Sequence, residues 1–480
     1  MTSDTIFHIA SLTKSFTAAC IYQLRADNRL SLDDLIQKHL PEAKSRDPLV
    51  AATATVADLL GHRTGLQKAD DIWLGSDGEL HFNRDQTSAV FSYLLPQASL
   101  RSRFLYNNIG YAILGEIIMR LTGQPYHIYL KESILDPLNM TRTLVTKDSG
   151  LPDDVSLAYS TLDTGEPYNV PLLGNSASVA MGAAGGLLST ANDLAKFYKT
   201  LMGSWRNLAR GGKDSFESEG KKSVLGNVSW LLAPLQIMET PTLREQSYAA
   251  GWAISQLPAA VGSLGANTGL VDKMPLLGDG TTSQMALWHQ GSLVGATFFV
   301  MLLPETESAV LVLTNTMAPN DAADWMGQLL VETVIESPVH HDYVHLASVS
   351  ADRALERYAE LSEKVEGGRK AGGPDRILSD YVGVYVGFAG IFRIEVVLGE
   401  NGLEMLFQAR ESQKYQLQHH HHDTFTWFTS WNEQIKRARF LDFRPAFYSI
   451  RFESEEGKGV ITLNWIHDSA RPEGENFIKV

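Results

Sequence analysis

Apolar residues recur every three to four positions in two stretches of the N-terminal half. From Ser11 to Asn28 the stripe is Leu12, Phe16, Cys20 and Leu24. From Asn108 to Leu121 it is Ile109, Ile113, Ile117 and Leu121, with Gly123 as a stop. Both predict helices with a buried face. Residues 5–202 as a whole read as helices joined by short loops. Residues 206–222 are charged, glycine-rich and poor in apolar side chains, which predicts an exposed insertion. From 284 to 315 the texture changes. Residues 285–288, 297–303 and 309–314 are continuous apolar runs, as in strands covered on both faces, and Asp321 to Ile335 is a helix able to cover them. Residues 346–363 are helical in pattern. Glu366 to Pro374 holds four glycines and one proline in nine residues and reads as a linker. Beyond it, short apolar segments at 381–385, 391–397, 403–408, 424–428, 438–443, 449–452 and 460–465 alternate with turn residues. That spacing predicts a small barrel or sandwich.

Composition narrows the function classes. The chain has 480 residues, enough for two to four domains at roughly 100–200 residues each. It carries 41 basic and 55 acidic residues, a net charge of −14. That balance fits poorly with phosphate backbones and anionic membrane surfaces, so no nucleic-acid or membrane partner is expected. The single cysteine, Cys20, precludes an internal disulfide and a cysteine-built zinc site, and reads as a small core residue. No apolar run is long enough to cross a membrane as a helix. The start of the chain does not read as a signal peptide, so a cytoplasmic location is expected.

The sharpest candidate chemistry is Ser11-Leu12-Thr13-Lys14. Positions i and i+3 share a helix face, so the Lys14 amine lies beside the Ser11 hydroxyl. A serine is a weak nucleophile without an adjacent base, and a lysine serves where its pKa is lowered. The same spacing recurs at Ser218 and Lys221, but in a glycine-rich charged stretch that cannot preorganise it. Tyr106-Asn107-Asn108 precedes the second helix. A tyrosine beside a lysine ammonium can relay a proton, with its own pKa expected to fall, and an asparagine can hold an acyl amide or the lysine. His289-Gln290-Gly291-Ser292 follows a strand, where a small residue lets a substrate carbonyl approach backbone N–H groups. The N–H groups of Ser292 and Ser11 are candidates for an oxyanion hole.

In this order the three motifs resemble the serine β-lactamase/penicillin-binding-protein superfamily, specifically its class C β-lactamase-like branch, whose signature is S-x-x-K, Y-x-N, then H-x-G or K-T-G. The resemblance extends through Leu30 to Asp34, Thr55 to Leu66, Gly110 to Thr143 and Ala183 to Leu194, and covers residues 5–335. It implies an α+β fold, with a central antiparallel sheet flanked by helices. It also implies an acylated Ser11, with proton transfer shared by Lys14 and Tyr106. Asn108 would orient substrate, and His289, Gly291 and Ser292 would line the binding strand. A histidine in place of the K-T-G lysine implies esterase-type or D-peptide-type activity rather than efficient penicillin recognition. Residues from Ser379 onward resemble the lipocalin-like barrel appended to some of these hydrolases. The implied layout is a catalytic domain over 1–345, a helix and linker over 346–374 and a barrel over 375–480. The family normally places a helix and a β-hairpin before the nucleophile helix, whereas ten residues precede Ser11. The expectation is that these strands are missing or that the sheet is completed differently.

The function so implied is a serine hydrolase that cleaves an ester or amide through an acyl-enzyme on Ser11. The substrate would be a small-molecule or peptide acyl compound. No cofactor and no metal are needed, and His419 to His422 reads as ordinary internal sequence. A homo-oligomer is compatible with the chain. An acyltransferase or peptide cyclase would use the same acyl-enzyme, and a non-catalytic binding protein could retain the fold. The absence of G-x-S-x-G argues against an α/β-hydrolase, and the absence of H-E-x-x-H, Walker and G-x-G-x-x-G motifs against metalloprotease and nucleotide readings.

Overall fold

The computed structural model describes residues 1–145, 152–174, 181–213, 217–218, 221–222, 224–239, 244–455, 457 and 459–480. The helical part is built round α1 (Thr13–Ala26) and α2 (Asn108–Thr122). Every residue of α1 from Thr13 to Leu24 is buried. A helix enclosed on all sides must satisfy its polar groups internally. Thr17 does so by donating to the Ala183 carbonyl and bonding the Tyr126 hydroxyl, both at 2.7 Å. The Asn107 side chain caps α2 by accepting from Gly110 N–H at 3.0 Å, and the helix stops at Gly123 as expected.

The central sheet has six antiparallel strands: β1 (Gln236–Met238), β2 (Gln246–Tyr248), β3 (Ala253–Leu257), β4 (Gln284–Leu293), β5 (Ala296–Leu303) and β6 (Ser308–Leu313), in the order β6-β5-β4-β3-β2-β1. All of β5 is buried, and its side chains alternate between two cores. Phe298, Val300 and Leu302 face the layer of α1, whereas Phe299, Met301 and Leu303 face Ala323 and Val331 of α3 (Ala322–Val334). Those two covered faces explain the unbroken apolar runs in the sequence. Among the described residues no strand pairs with the outer side of β6. The expected charged insertion at 206–222 begins as the end of the helix Ala191–Ala209, and residues 214–216, 219 and 220 lie outside the described residues.

Helix α4 (Tyr343–Gly367) leads to a nearly closed nine-stranded antiparallel barrel. Its strands are β7 (Gly383–Gly387), β8 (Phe392–Gly399), β9 (Gly402–Phe407), β10 (Lys414–Gln416), β11 (Gln418–His421), β12 (Thr424–Thr426), β13 (Ser449–Glu455), β14 (Gly459–Trp465) and β15 (Glu475–Lys479). They run in the order β10-β9-β8-β7-β15-β14-β13-β12-β11 around buried aromatic rings such as Phe407, Trp427 and Trp465. The expected strand at 438–443 is instead irregular chain across the mouth of the barrel. Ala438 takes a left-handed conformation (φ 47°). Arg439 then turns inward, over the ring of Trp427 at 5.1 Å, and donates to the Tyr415 hydroxyl at 3.2 Å. His420, within the four-histidine run, bonds the Val365 carbonyl of α4 at 2.7 Å.

Candidate active site

Ser11 lies in a 3-10 turn, Ala10–Leu12, that runs directly into α1. Ala10 is left-handed (φ 50°), which costs a residue with a Cβ about 1–2 kcal/mol. The surrounding contacts hold it there. Strand β4 presses against this turn through Gly291, where a Cβ would stand 3.0 Å from the Ile9 carbonyl oxygen and 3.3 Å from the Ala10 Cβ. A glycine is therefore what lets the strand and the serine turn meet.

Lys14 is fully buried one turn on. Its Nζ lies 3.1 Å from Ser11 Oγ and donates to Asn108 Oδ1 and to the Ala184 carbonyl, both at 2.8 Å. The Tyr106 ring centroid is 4.7 Å from the same nitrogen. Burial lowers the Lys14 amine to about 7, against a small opposing pull from Asp70. The expectation for Tyr106 is reversed. Burial pushes its hydroxyl well up, and the Ser11 hydroxyl pulls it back only in part. That contact falls outside good hydrogen-bond geometry, so the phenol oxygen has no proper partner among the described residues. In the free site Tyr106 is a neutral phenol and Lys14 is the group poised near neutrality.

The first residue of α2 is Asn108, whose Nδ2 donates to Asp70 Oδ1 at 3.2 Å. The preceding Asn107 is fixed from both ends. Its N–H donates to His62 Nδ1 at 3.1 Å, and its Nδ2 donates to the Gln67 carbonyl at 2.7 Å. The His62 stretch thus aims the Tyr106–Asn108 segment at Lys14. His289 lies on β4 on the face turned toward the helical layer. Its imidazole is buried beside the Tyr106 ring, 6.1 Å between centroids, with Nε2 bonded to the Tyr248 hydroxyl at 3.1 Å and Nδ1 to the Gln290 carbonyl at 2.5 Å. Burial, reinforced by Lys14, lowers it to about 3, so it is a neutral structural ring.

Two cavities open on Ser11, and both are also lined by Asn108 and Ser292. The smaller, about 50 Å³, runs between Trp73, Met181 and Leu293. The larger, about 340 Å³, is bounded by Asp70, Asp71, Tyr106 and Gln290 on one side and by Arg439 to Asp442 of the barrel on the other. Asp70, Asp71 and Arg439 belong to none of the sequence motifs. The Asp71 carboxyl is 31% exposed, into this cavity, with Arg439 and Arg444 at 3.9 and 3.8 Å. Loss of solvent pushes it up to about 7. Among the described residues no group of three or more His, Cys, Asp or Glu side chains is placed to hold a metal ion, and no helix is long and apolar enough to cross a membrane.

A helical layer that delivers Ser11 and Lys14 to the edge of an antiparallel sheet defines a β-lactamase/transpeptidase fold. The beta-lactamase family model matches residues 1–333, and the chain belongs to that family. Residues 369–469 match a domain of unknown function (DUF3471). Among curated relatives, protein flp of Staphylococcus aureus is 34% identical over 142 residues, which is 29% of this chain and 28% of that protein. The unguisins hydrolase ungD' of Aspergillus campestris is 24% identical over 355 residues, 70% of this chain and 57% of that protein. The chain thus spans less than two thirds of either relative. The octameric penicillin-binding protein homologue from Pyrococcus abyssi shares the fold with a TM-score of 0.52 and 20% identity, over 100% of this chain and 89% of that one. A beta-lactamase/D-alanine carboxypeptidase from Pseudomonas syringae does so at 0.50 and 19%, over 71% and 86%.

Proposed function

We propose that this protein is a serine hydrolase that cleaves an ester or amide bond through an acyl-enzyme on Ser11. The observation that carries this reading is the valence of Lys14. A neutral amine has two N–H donors and one lone pair. The two donors are taken by Asn108 Oδ1 and the Ala184 carbonyl. The lone pair is left for the third neighbour, the Ser11 hydroxyl at 3.1 Å. Burial keeps the amine near neutrality, so this form is populated at physiological pH.

In this reading Ser11 Oγ attacks the substrate carbonyl carbon as its proton passes to Lys14. The oxyanion is received by the N–H groups of Ser11 and Ser292, worth on the order of 100–1,000-fold in rate per donor. The new ammonium, with Tyr106 as relay, returns the proton to the leaving alcohol or amine as the carbonyl–leaving-group bond breaks. Water, deprotonated by the same pair, then attacks the acyl ester, releasing the acid and restoring Ser11. His289 is neutral, with its ring nitrogens bonded to Tyr248 and Gln290, so it offers no charge to a substrate carboxylate, which favours esters and amides over penicillins. The hydrolase name of the Aspergillus relative is consistent with this class. We assign the catalytic unit to residues 1–345 and the barrel to 375–480.

The test is intact mass after exposure to a fluorophosphonate probe, with peptide mapping. A single adduct on Ser11, absent from Ser11→Ala and slowed by at least about a hundredfold in Lys14→Ala, is expected. A folded protein that takes no adduct, or takes it elsewhere, overturns the reading.

A further inference from the structure

The segment from Ala69 to His81 lies within the catalytic part, yet its outer side is held by the barrel. Ala69 N–H donates to Asp468 Oδ2 at 3.0 Å. The main chain of Ser76 exchanges two hydrogen bonds with the Gln413 amide, at 2.8 and 2.9 Å. Asp77 N–H donates to the Arg437 carbonyl at 2.8 Å, and Gln408 Nε2 to the His81 carbonyl at 2.7 Å. Within this clamped segment Asp70 turns inward. Its Oδ1 accepts from Trp73 Nε1 at 2.9 Å and from Asn108 Nδ2 at 3.2 Å.

The second bond has a consequence for Lys14. A carboxamide has two orientations of nearly equal shape and opposite polarity. With Nδ2 on Asp70, Oδ1 of Asn108 faces Lys14 and accepts at 2.8 Å. Turned by half a rotation, the amide would set N–H groups against the amine and its oxygen against the carboxylate. Lys14 would then lose one of the two acceptors that aim its lone pair.

We propose that Asp70 is a positioning residue: held in place by the barrel's grip on Ala69–His81, its carboxylate locks the Asn108 amide with the oxygen toward Lys14, and so orients Lys14 on Ser11. This rests on the reading of Ser11 and Lys14 given above. The charged and titratable groups facing Asp70 are Lys68, Asp468, Asp71, Lys14 and Tyr106.

The test compares Asp70→Ala and Asp70→Asn in the full chain, with kcat and KM for an activated ester measured across pH. D70A removes both the acceptor and the charge. It is expected to lower kcat/KM by about a hundredfold, mostly in kcat, as misplacement of catalytic groups does. D70N keeps an oxygen that accepts from Asn108 and is expected to recover about tenfold of that loss. Because the Asp70 charge favours the Lys14 ammonium, D70N should also move the acid limb of kcat/KM to lower pH. Loss of packing alone would be made good in full by D70N, which fills the same volume as the native side chain. Full activity in D70A, no recovery in D70N, or an unmoved limb each overturns the proposal. Fluorophosphonate labelling of the unaltered protein reports separately on Ser11, so a failure of the underlying reading is distinguishable.

Discussion

Replacing Lys14 by methionine should change stability in a way that depends on pH. The amine is fully buried, and its pKa falls from an ordinary 10.5 to about 7. Between those values the unfolded chain holds the proton and the folded chain does not. Raising the pH therefore favours the folded state, by up to about 1.4 kcal/mol per pH unit. From pH 7 to pH 9 the wild type should gain about 2 kcal/mol from this group, allowing for half-protonation at the lower value. Lys14→Met has no such group and gains nothing from it. The variant also leaves Asn108 Oδ1 and the Ala184 carbonyl without their donor. That loss, about 1–3 kcal/mol for each group, does not vary with pH. Urea denaturation of both proteins at pH 7 and pH 9 separates the two contributions. The stability difference should widen in favour of the wild type at the higher pH. An unchanged difference would mean that Lys14 carries its proton in the folded state much as it does in water, and the proposed base would have no physical origin.

Two further outcomes follow from the packing. Leu441→Ala removes part of the barrel's wall on the larger cavity, so the kcat/KM ratio of bulky to small acyl esters should rise by about tenfold; an unaltered ratio would show that this wall does not meet substrate. Gly251 is left-handed (φ 79°), and a Cβ there would stand 2.8 Å from the Cα and N of Ser15 in α1. Gly251→Ala should cost about 2–4 kcal/mol in thermal or chemical denaturation and slow labelling of Ser11, because the strain falls on the turn that carries Lys14. A stable, fully labelled variant would contradict this.

The parts legible in the sequence are those where local pattern and final contact coincide. Ser11 and Lys14 are three residues apart at a helix start, so helix geometry alone brings them together. Asn108 meets Lys14 across 94 residues of chain, and the ordered motifs of the family supplied that link. His289 shows where motif reading stops. Along β4 successive side chains alternate: Gln290 turns toward α3 and donates to Asp324 at 2.8 Å, while the His289 ring lies on the helical-layer side, beside Tyr106 and bonded to the Tyr248 hydroxyl. Asp70, Asp71 and Arg439 carry no signal in the sequence, because isolated charges in a single helical turn or in irregular chain look like solvated surface. Residues 438–443 misled for a related reason. Their short, largely apolar run imitates a strand, but the charged Arg439 is buried with Ala438, among the aromatic rings of the barrel.

The barrel's share in the larger cavity divides the site between two regions that can change at different rates. Phe440, Leu441 and Asp442 belong to the barrel's part of the wall of the cavity that opens on Ser11. None of these three touches the Lys14 amine, whose bonds run to Asn108 and to the Ala184 carbonyl. If the proposed activity holds, selection on substrate range can act through this wall while the Ser11–Lys14 pair stays unchanged. Within the family, the appended region is then the place to look for divergence between members that keep identical motifs.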